Sequence, residues 1–416
     1  MTVTAARGFR SAGIAVGLKS TGKPDLALVV NDGPHRASAV VFTSNRAQAN
    51  PILWSRKVAA QGTARAIVLN SGGANCFTGE FGYETTRLTA EAVAQALNAE
   101  AGPPAGRGAA AASAGGAEAA AGGGTSAGVV QANEILVCST GLIGTGDQRF
   151  RDKIVHGIPQ LAAALSSDDT TAAAAILTTD SVEKTATHVS DSGWTIGAIA
   201  KGAGMLAPGL ATMLVVITTD AVLDNDALDR ALRAATATSF DRLDSDGCMS
   251  TNDQVTLMSS GASEVAADEA EFAEALAAVC DSLAAQLQAD AEGASHDIDI
   301  EVRGAASVED AVEVGRSVAR NNLFKAAIFG NDPNWGRVLA AIGTTRADFD
   351  PYAADVSFNG VRLCHAGGPD RPVDECDLTP RRTHVLIELF AGEHTATVRT
   401  NDLTHDYVHE NSAYSS

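Results

Sequence analysis

Apolar positions recur along this chain with two periods, and the two periods separate its strands from its helices. Mostly apolar runs stand at 26–30, 37–43, 64–69, 135–138 and 213–217, each bounded by polar or glycine-rich residues. They are too short for helices and too continuous for half-exposed strands, so they predict strands buried on both faces. The segment 194–199 reads as another strand. The segment 297–302 alternates apolar and charged positions, which predicts a strand buried on one face, and 355–363, 384–390 and 395–400 predict further strands. Helical spacing appears at 86–99, where Leu88, Ala92, Val93 and Leu97 share a side, and at 226–236, where Ala227, Leu228, Ala231, Leu232 and Ala235 do. The stretch 268–291 is expected to be the longest helix, with Phe272, Leu276, Val279, Leu283 and Leu287 on one stripe and Gly293 as its C-cap. An alanine-rich helix is expected over 170–177, and Ser307-Val308-Glu309-Asp310 opens a helix reaching about 325. Strands and helices alternating in this way predict an α/β fold.

Polar punctuation adds detail. The strand ending at Leu69 leads into Asn70-Ser71-Gly72-Gly73-Ala74-Asn75, and the strand ending at Cys138 into Ser139-Thr140-Gly141. Glycine-rich turns at strand ends expose backbone N–H groups, the donors that acyl-transfer chemistry aims at a developing oxyanion. Residues 101–130 are mostly alanine, glycine and serine and cannot bury much side-chain surface, so they predict a disordered surface insertion. Asp244, Asp246 and Gly247 are spaced loosely like a calcium loop, but no glutamate closes the twelve-residue pattern, and no metal site is expected.

Composition narrows the function. A chain of 416 residues fits two domains or one large α/β unit. A net charge of −20 excludes a basic nucleic-acid-binding face. Six scattered cysteines form no C-x-x-C pair, which fits reduced thiols better than a disulfide frame or zinc site. Residues 1–13 carry no apolar signal-peptide core, and no run approaches the roughly 18 apolar residues of a spanning helix. A cytoplasmic location without membrane partners is the expectation.

The stretch from Ala200 to Leu214 holds the sharpest chemistry: a lysine, a glycine-rich loop, and Ala211-Thr212 at the mouth of a core strand. A threonine hydroxyl is a weak nucleophile and needs a base. One solution is the threonine's own α-amine, whose pKa of roughly 7.7–8.0 leaves a useful neutral fraction near pH 7. Freeing that amine requires cutting the Ala211–Thr212 bond, through attack of the Thr212 hydroxyl on the Ala211 carbonyl and hydrolysis of the resulting ester. Two other readings of the residues stay open. The loop is a plain connection into a core strand, or Gly202-Ala203-Gly204-Met205-Leu206-Ala207 is a dinucleotide fingerprint, which would need a helix next where Pro208-Gly209 and a β-rich run follow.

The motif K-G-A-G-M-x-x-P-x-x-A-T-M-L, from Lys201 to Leu214, resembles the signature of the ornithine acetyltransferase (glutamate N-acetyltransferase) family of arginine biosynthesis. Further blocks resemble that family along nearly the whole chain outside 101–130: N-S-G-x-A-N at 70–75, D-G…S-T-N-D ending at Asp253, A-E-G at 291–293, G-x-D-P-N-W-G-R at 330–337 and E-N-x-x-Y-x-S at 410–416. The resemblance implies a layered α/β core that is N-terminal-nucleophile-like, with a smaller C-terminal α/β part from about 296. It implies self-cleavage into chains 1–211 and 212–416 that stay together, assembled as a heterotetramer of two of each. Thr212 would carry acetyl from N2-acetylornithine to glutamate by ping-pong kinetics, with Thr140 and Gly141 forming the oxyanion hole. Thr178 (in preference to Thr179), Lys201, Glu292, Asn411 and Ser416 would bind substrate, Glu292 through the amino group of ornithine. No cofactor is implied, although acetyl-CoA would serve as a donor if the enzyme is bifunctional. A self-cleaving aminopeptidase, and a paralogous acetyltransferase with another acceptor, are the alternatives.

Overall fold

The computed structural model describes residues 2–100, 129–207 and 213–413. The expected strands and helices alternate in it, and the α/β class stands. The first part runs β1 (Phe9–Ile14), β2 (Leu26–Asn31), β3 (Ser38–Phe42), α1 (Asn50–Ala59), β4 (Ala66–Ser71), α2 (Gly79–Glu100) and β5 (Ile135–Thr140). It continues with α3 (Gln148–Ala163), α4 (Ala172–Ala175), β6 (Lys184–Val189), β7 (Thr195–Lys201), β8 (Leu214–Thr219), α5 (Asn225–Thr238), β9 (Gln254–Ser259) and α6 (Glu269–Ala289). The last part comprises β10 (Asp297–Ala305), α7 (Val308–Ala319), α8 (Asn322–Phe329), α9 (Trp335–Ile342), β11 (Asp355–Phe358), β12 (Val361–His365), β13 (Gly368–Pro369), β14 (Arg382–Glu388), β15 (His394–Asn401) and α10 (His405–Ala413).

The continuous apolar strands are explained by two stacked sheets. One sheet has the order β1-β2-β4-β5, the other β3-β9-β8-β7-β6. Strand side chains alternate between faces, so Ala27, Val29, Ile67, Leu69, Leu136 and Cys138 point toward the second sheet and meet its Ile199, Leu214, Val216 and Met258. The residues between them, Leu28, Val30, Ala66, Val68, Ile135 and Val137, pack under α2 and α3. On the far side Ile196, Ala198, Val215 and Ile217 pack under α5 and α6. The result is an α-β-β-α sandwich in which both sheets are covered on both faces.

The third sheet, order β13-β12-β11-β14-β10-β15, has its own core. Ile298, Ile300 and Val302 of the alternating strand β10 face α7 and its neighbours, while Asp299 and Glu301 face away.

Several element boundaries differ from expectation. The helix expected from 86 begins at Gly79 and spans 22 residues, one more than the 21 of α6, which is therefore not the longest. Only Ala172–Ala175 of 170–177 is helical. Its continuation is taken over by a local turn in which the Asp180 carboxylate accepts from the Thr178 N–H at 3.0 Å, a bond that competes with helical pairing. The helix expected to reach 325 breaks after Ala319, because the Asn321 side chain accepts from Phe324 N and caps a new helix. The run 355–363 is a hairpin, not one strand: Asn359 and Gly360 both have positive φ, at 45° and 83°, as a two-residue primed turn requires. Within the insertion assigned to 101–130, Val130 is buried and exchanges hydrogen bonds with the Asn98 side chain, so 129 and 130 belong to the folded chain. The remainder, 101–128, lies outside the described residues.

Candidate active site

Strands β4 and β5 are parallel and pair Ser71 with Thr140, so their C-terminal turns emerge side by side. The Thr140 carbonyl accepts from the N–H groups of both Gly72 and Gly73, each at 3.0 Å. Gly141 has φ of 120°, and a Cβ there would lie 2.8 Å from Gly73 N, so only glycine lets the two turns approach. Side chains lock the arrangement. Ser139 Oγ donates to Asn70 Oδ1 at 2.6 Å, and Asn70 Nδ2 to the Gly73 carbonyl at 3.0 Å. From the second sheet, Asn252 Nδ2 donates to the carbonyls of Ala74 and Ser139 at 2.7 and 2.8 Å.

Lys201, the last residue of β7, is 1% exposed and points at this turn. Its Nζ donates to Thr140 Oγ1 at 3.3 Å and lies 3.8 Å from Asp180 Oδ2. The Thr140 hydroxyl accepts from the lysine, which leaves its own hydrogen available to another acceptor. Asp180 is the hub of the cluster. Its Oδ1 accepts from Gly202 N at 2.6 Å and from Lys184 Nζ at 2.8 Å, and Lys184 reaches on to Asp290 at 2.5 Å. Burial opposes ionisation of Asp180, but Lys201 and Lys184 outweigh it and hold the carboxyl well below the usual range. Burial pushes the Lys201 ammonium down, and Asp180 resists that shift.

A second wall is built by the end of α6. Glu292 donates its N–H to the Ala203 carbonyl at 3.0 Å. Its carboxylate lies against Gly204, where a Cβ would sit 2.5 Å from Oε2. Asn411, on the exposed helix α10, donates from Nδ2 to Glu292 Oε2 at 3.0 Å. Gly293 is not the C-cap of α6, a place taken by Asp290. Its φ of 62° instead serves close approach, since a Cβ would fall 2.2 Å from Tyr407 N and push α10 away.

Between the walls, the chain re-enters the described structure at Met213, whose N–H donates to Asp253 Oδ1 at 3.1 Å. Leu214 then pairs with Lys201 across β7 and β8. Asp253 is fully buried, and its Oδ2 has no hydrogen-bond partner among the described residues. Burial pushes its carboxyl well above the usual range, which favours the protonated acid.

Thr140, Gly141, Thr178 and Lys201 thus belong to one network through Asp180, and Glu292 and Asn411 form the facing pair. Ala211, Thr212 and Ser416 lie outside the described residues. Asp180, Asn252 and Asp253 were missed as site residues. Their signal was position: Asp180 closes the block Thr178-Thr179-Asp180, and Asn252 and Asp253 close S-T-N-D. The acidic pair of the calcium-like spacing is committed to protein partners, Asp244 to Arg320 at 2.7 Å and Asp246 to Met205 N at 2.8 Å. Among the described residues no group of three or more His, Cys, Asp or Glu side chains is arranged to hold a metal. The dinucleotide reading fails on topology, because the next element described after Ala207 is the strand β8 and not a helix.

A family model, the ArgJ family, matches residues 10–115 and 104–416. The chain belongs to the ArgJ family. An arginine biosynthesis bifunctional protein ArgJ from Streptomyces avermitilis is 57% identical to it over 417 residues, covering 100% of both chains. The ArgJ protein of Thermobifida fusca is 52% identical over 418 residues, again covering 100% of both. A solved ornithine acetyltransferase from Mycobacterium tuberculosis, complexed with ornithine, is 40% identical over 51% of this chain and 96% of that one, with a TM-score of 0.42. Membership bears out the resemblance drawn from the motifs, and the expectation of an acetyltransferase of arginine biosynthesis stands with it. Among the described residues no helix is long and apolar enough to cross a membrane.

Proposed function

We propose that the chain cuts itself between Ala211 and Thr212 and then transfers acetyl from N2-acetylornithine to glutamate through an acetyl ester on Thr212. The Thr212 hydroxyl attacks the acetyl carbonyl, and its proton passes by way of the freed α-amine to the departing nitrogen of ornithine. The amine of glutamate then attacks the ester and releases Thr212. Each step passes through a tetrahedral oxyanion, for which the Thr140 hydroxyl and the Gly141 N–H are the donors. Lys201 takes the carboxylate of the N-acetylated amino acid. Glu292, oriented by Asn411, takes the ornithine ammonium, and Thr178 and Ser416 complete the binding set.

The observation that carries this reading is the contact of Lys201 with the Thr140 hydroxyl, two buried groups to which the proposal gives acyl-transfer roles, in a chain whose match to the ArgJ family runs over 10–115 and 104–416. The cleaved chains 1–211 and 212–416 remain paired, two of each, in the cytoplasm, with no cofactor. Acetyl-CoA is proposed as a second donor, a role in keeping with relatives that are named bifunctional. Intact mass and N-terminal sequencing of wild type beside Thr212→Ala test the core of the proposal. Two fragments, one beginning Thr-Met-Leu, in wild type alone are expected; an uncut wild-type chain with full transfer activity would sink the Thr212 assignment. Assaying acetyl release from acetyl-CoA with and without glutamate tests the second donor.

A further inference from the structure

In the proposed cycle, donor and acceptor share one site but end in opposite charges. N2-acetylornithine ends in an ammonium, which suits Glu292, whereas glutamate ends in a second carboxylate, which Glu292 repels. With Lys201 committed to the carboxylate beside the reacting nitrogen, the distal carboxylate of glutamate calls for another cation on a different wall. The loop between β1 and β2 supplies one. Asp25, fully buried, organises this loop: its carboxylate accepts from the N–H groups of Val16 at 2.7 Å, Leu18 at 2.5 Å and Lys19 at 3.1 Å. The Asp25 carbonyl accepts from Ser71 N at 2.9 Å, which joins the loop to the end of β4. Leu18 lies against Gly72, where a Cβ would fall 2.5 Å from the Leu18 Cβ. Gly72 is one of the two residues whose N–H groups hold the Thr140 carbonyl, so the loop is tied to the oxyanion turn.

Lys19 emerges from that loop with most of its bonding capacity unspent. Its Nζ donates to the Pro24 carbonyl at 2.7 Å, which steadies the side chain and uses one of the three hydrogens of an ammonium. Among the described residues it forms no ion pair, and it is partly exposed. Burial pushes its ammonium down to about 8, against the pull of Asp25 and Asp180 and with a push from Lys201. Its charge therefore acts over the same space as the Lys201–Asp180 pair, and a dicarboxylate lying between the two lysines relieves their repulsion.

We propose that Lys19 selects the acceptor: its remaining hydrogens take the distal carboxylate of glutamate while Lys201 takes the carboxylate beside the amine. The side chains of donor and acceptor then run to different walls, ornithine toward Glu292 and glutamate toward the β1–β2 loop. This inference rests on the acetyl-transfer reading above and names the residue that lets one site serve substrates of opposite distal charge. A charge-assisted hydrogen bond from an ammonium to a carboxylate is strong enough to set such a preference.

The test compares two reactions of the same acetyl-enzyme in purified wild type, Lys19→Gln and Lys19→Arg. One is exchange of acetyl between N2-acetylornithine and isotopically labelled ornithine, which never uses a distal carboxylate. The other is steady-state transfer to glutamate. Lys19→Gln is expected to keep the exchange rate and to raise KM for glutamate about tenfold or more, with kcat little changed. Lys19→Arg, which retains the charge, is expected to recover most of the glutamate affinity. An unaltered KM for glutamate in Lys19→Gln would overturn the proposal. So would a parallel fall in exchange and transfer, which is what a role in folding or in donor binding produces. Exchange that is absent from wild type itself would sink the acetyl-enzyme reading and this inference with it, whereas normal exchange with unaltered glutamate kinetics in Lys19→Gln sinks this inference alone.

Discussion

The two walls of the candidate active site are built on opposite principles. The Thr140–Gly141 turn sits between two buried strands, its carbonyl is held by two backbone amides, and Asn252 ties it to the second sheet. The facing wall ends in α10, which has no buried residue and meets Glu292 through the side-chain amide of Asn411. Oxyanion stabilisation depends on donors that do not reorganise during reaction, so a rigid, over-determined turn suits it. In the proposed ping-pong cycle ornithine must leave and glutamate enter at this wall, and a lightly held arm would suit that exchange. On the proposed mechanism, rigidity lies where charge develops and compliance where ligands exchange.

Four changes probe the contrast, in order of expected size. Thr212→Ala should abolish both cleavage and transfer, a loss of about 10⁶ in kcat by analogy with removal of other nucleophiles; turnover with N-acetylornithine and glutamate measures it. Asp180→Asn strips the buried partner from Lys201 and Lys184 and should cost about 3–5 kcal/mol of stability, read by denaturant unfolding. The sign of its pH dependence follows from the depressed carboxyl. Stability from ionised Asp180 is fully present above the unfolded pKa of about 3.9 and is lost as pH falls toward the folded value. The gap between wild type and Asp180→Asn should therefore be widest near neutrality and shrink below pH about 4. Equal stability of the two proteins at pH 7 would remove Asp180 from the centre of the rigid wall.

Thr140→Ala should lower kcat by about 10²–10³ with KM little changed, since the lost donor acts mainly on the oxyanion. A variant that instead raised KM alone would make Thr140 a substrate-binding residue. The smallest effect is expected from Asn411→Ala on the compliant wall: about 1 kcal/mol, seen as a severalfold rise in KM for N-acetylornithine, with thermal stability unchanged. A large drop in melting temperature there would show that α10 is structural and break the contrast.

Much of the fold was legible because strand parity is a local property. Ala66, Ile67, Val68 and Leu69 form an unbroken apolar run, and their alternate burial against helices and against the second sheet is what such a run requires. Boundaries were less legible where a side chain overrides periodicity, as Asp180 does after α4 and Asn321 does before α8. In the site, Thr140, Lys201, Glu292 and Asn411 were readable only through family motifs. As isolated residues they are a turn threonine, a surface-type lysine, a helix-end glutamate and a polar residue near a terminus. Asp180 carried no such flag, and the S-T-N-D block that ends at Asp253 suggested no role for it, because a carboxylate's importance here lies in what surrounds it.

The sequence by itself determined the α/β class, the continuous strands that require covering on both faces, and the glycine-threonine motif that marks the ArgJ family. Tertiary structure alone decided that Lys201 meets Thr140, 61 positions away, that Asn411 meets Glu292, 119 positions away, and that Asp180 bridges two buried lysines. The reason is physical. Hydrophobic periodicity is fixed by the backbone geometry of neighbouring residues, whereas the cost and value of a buried charge depend on partners that only the folded chain brings within about 4 Å.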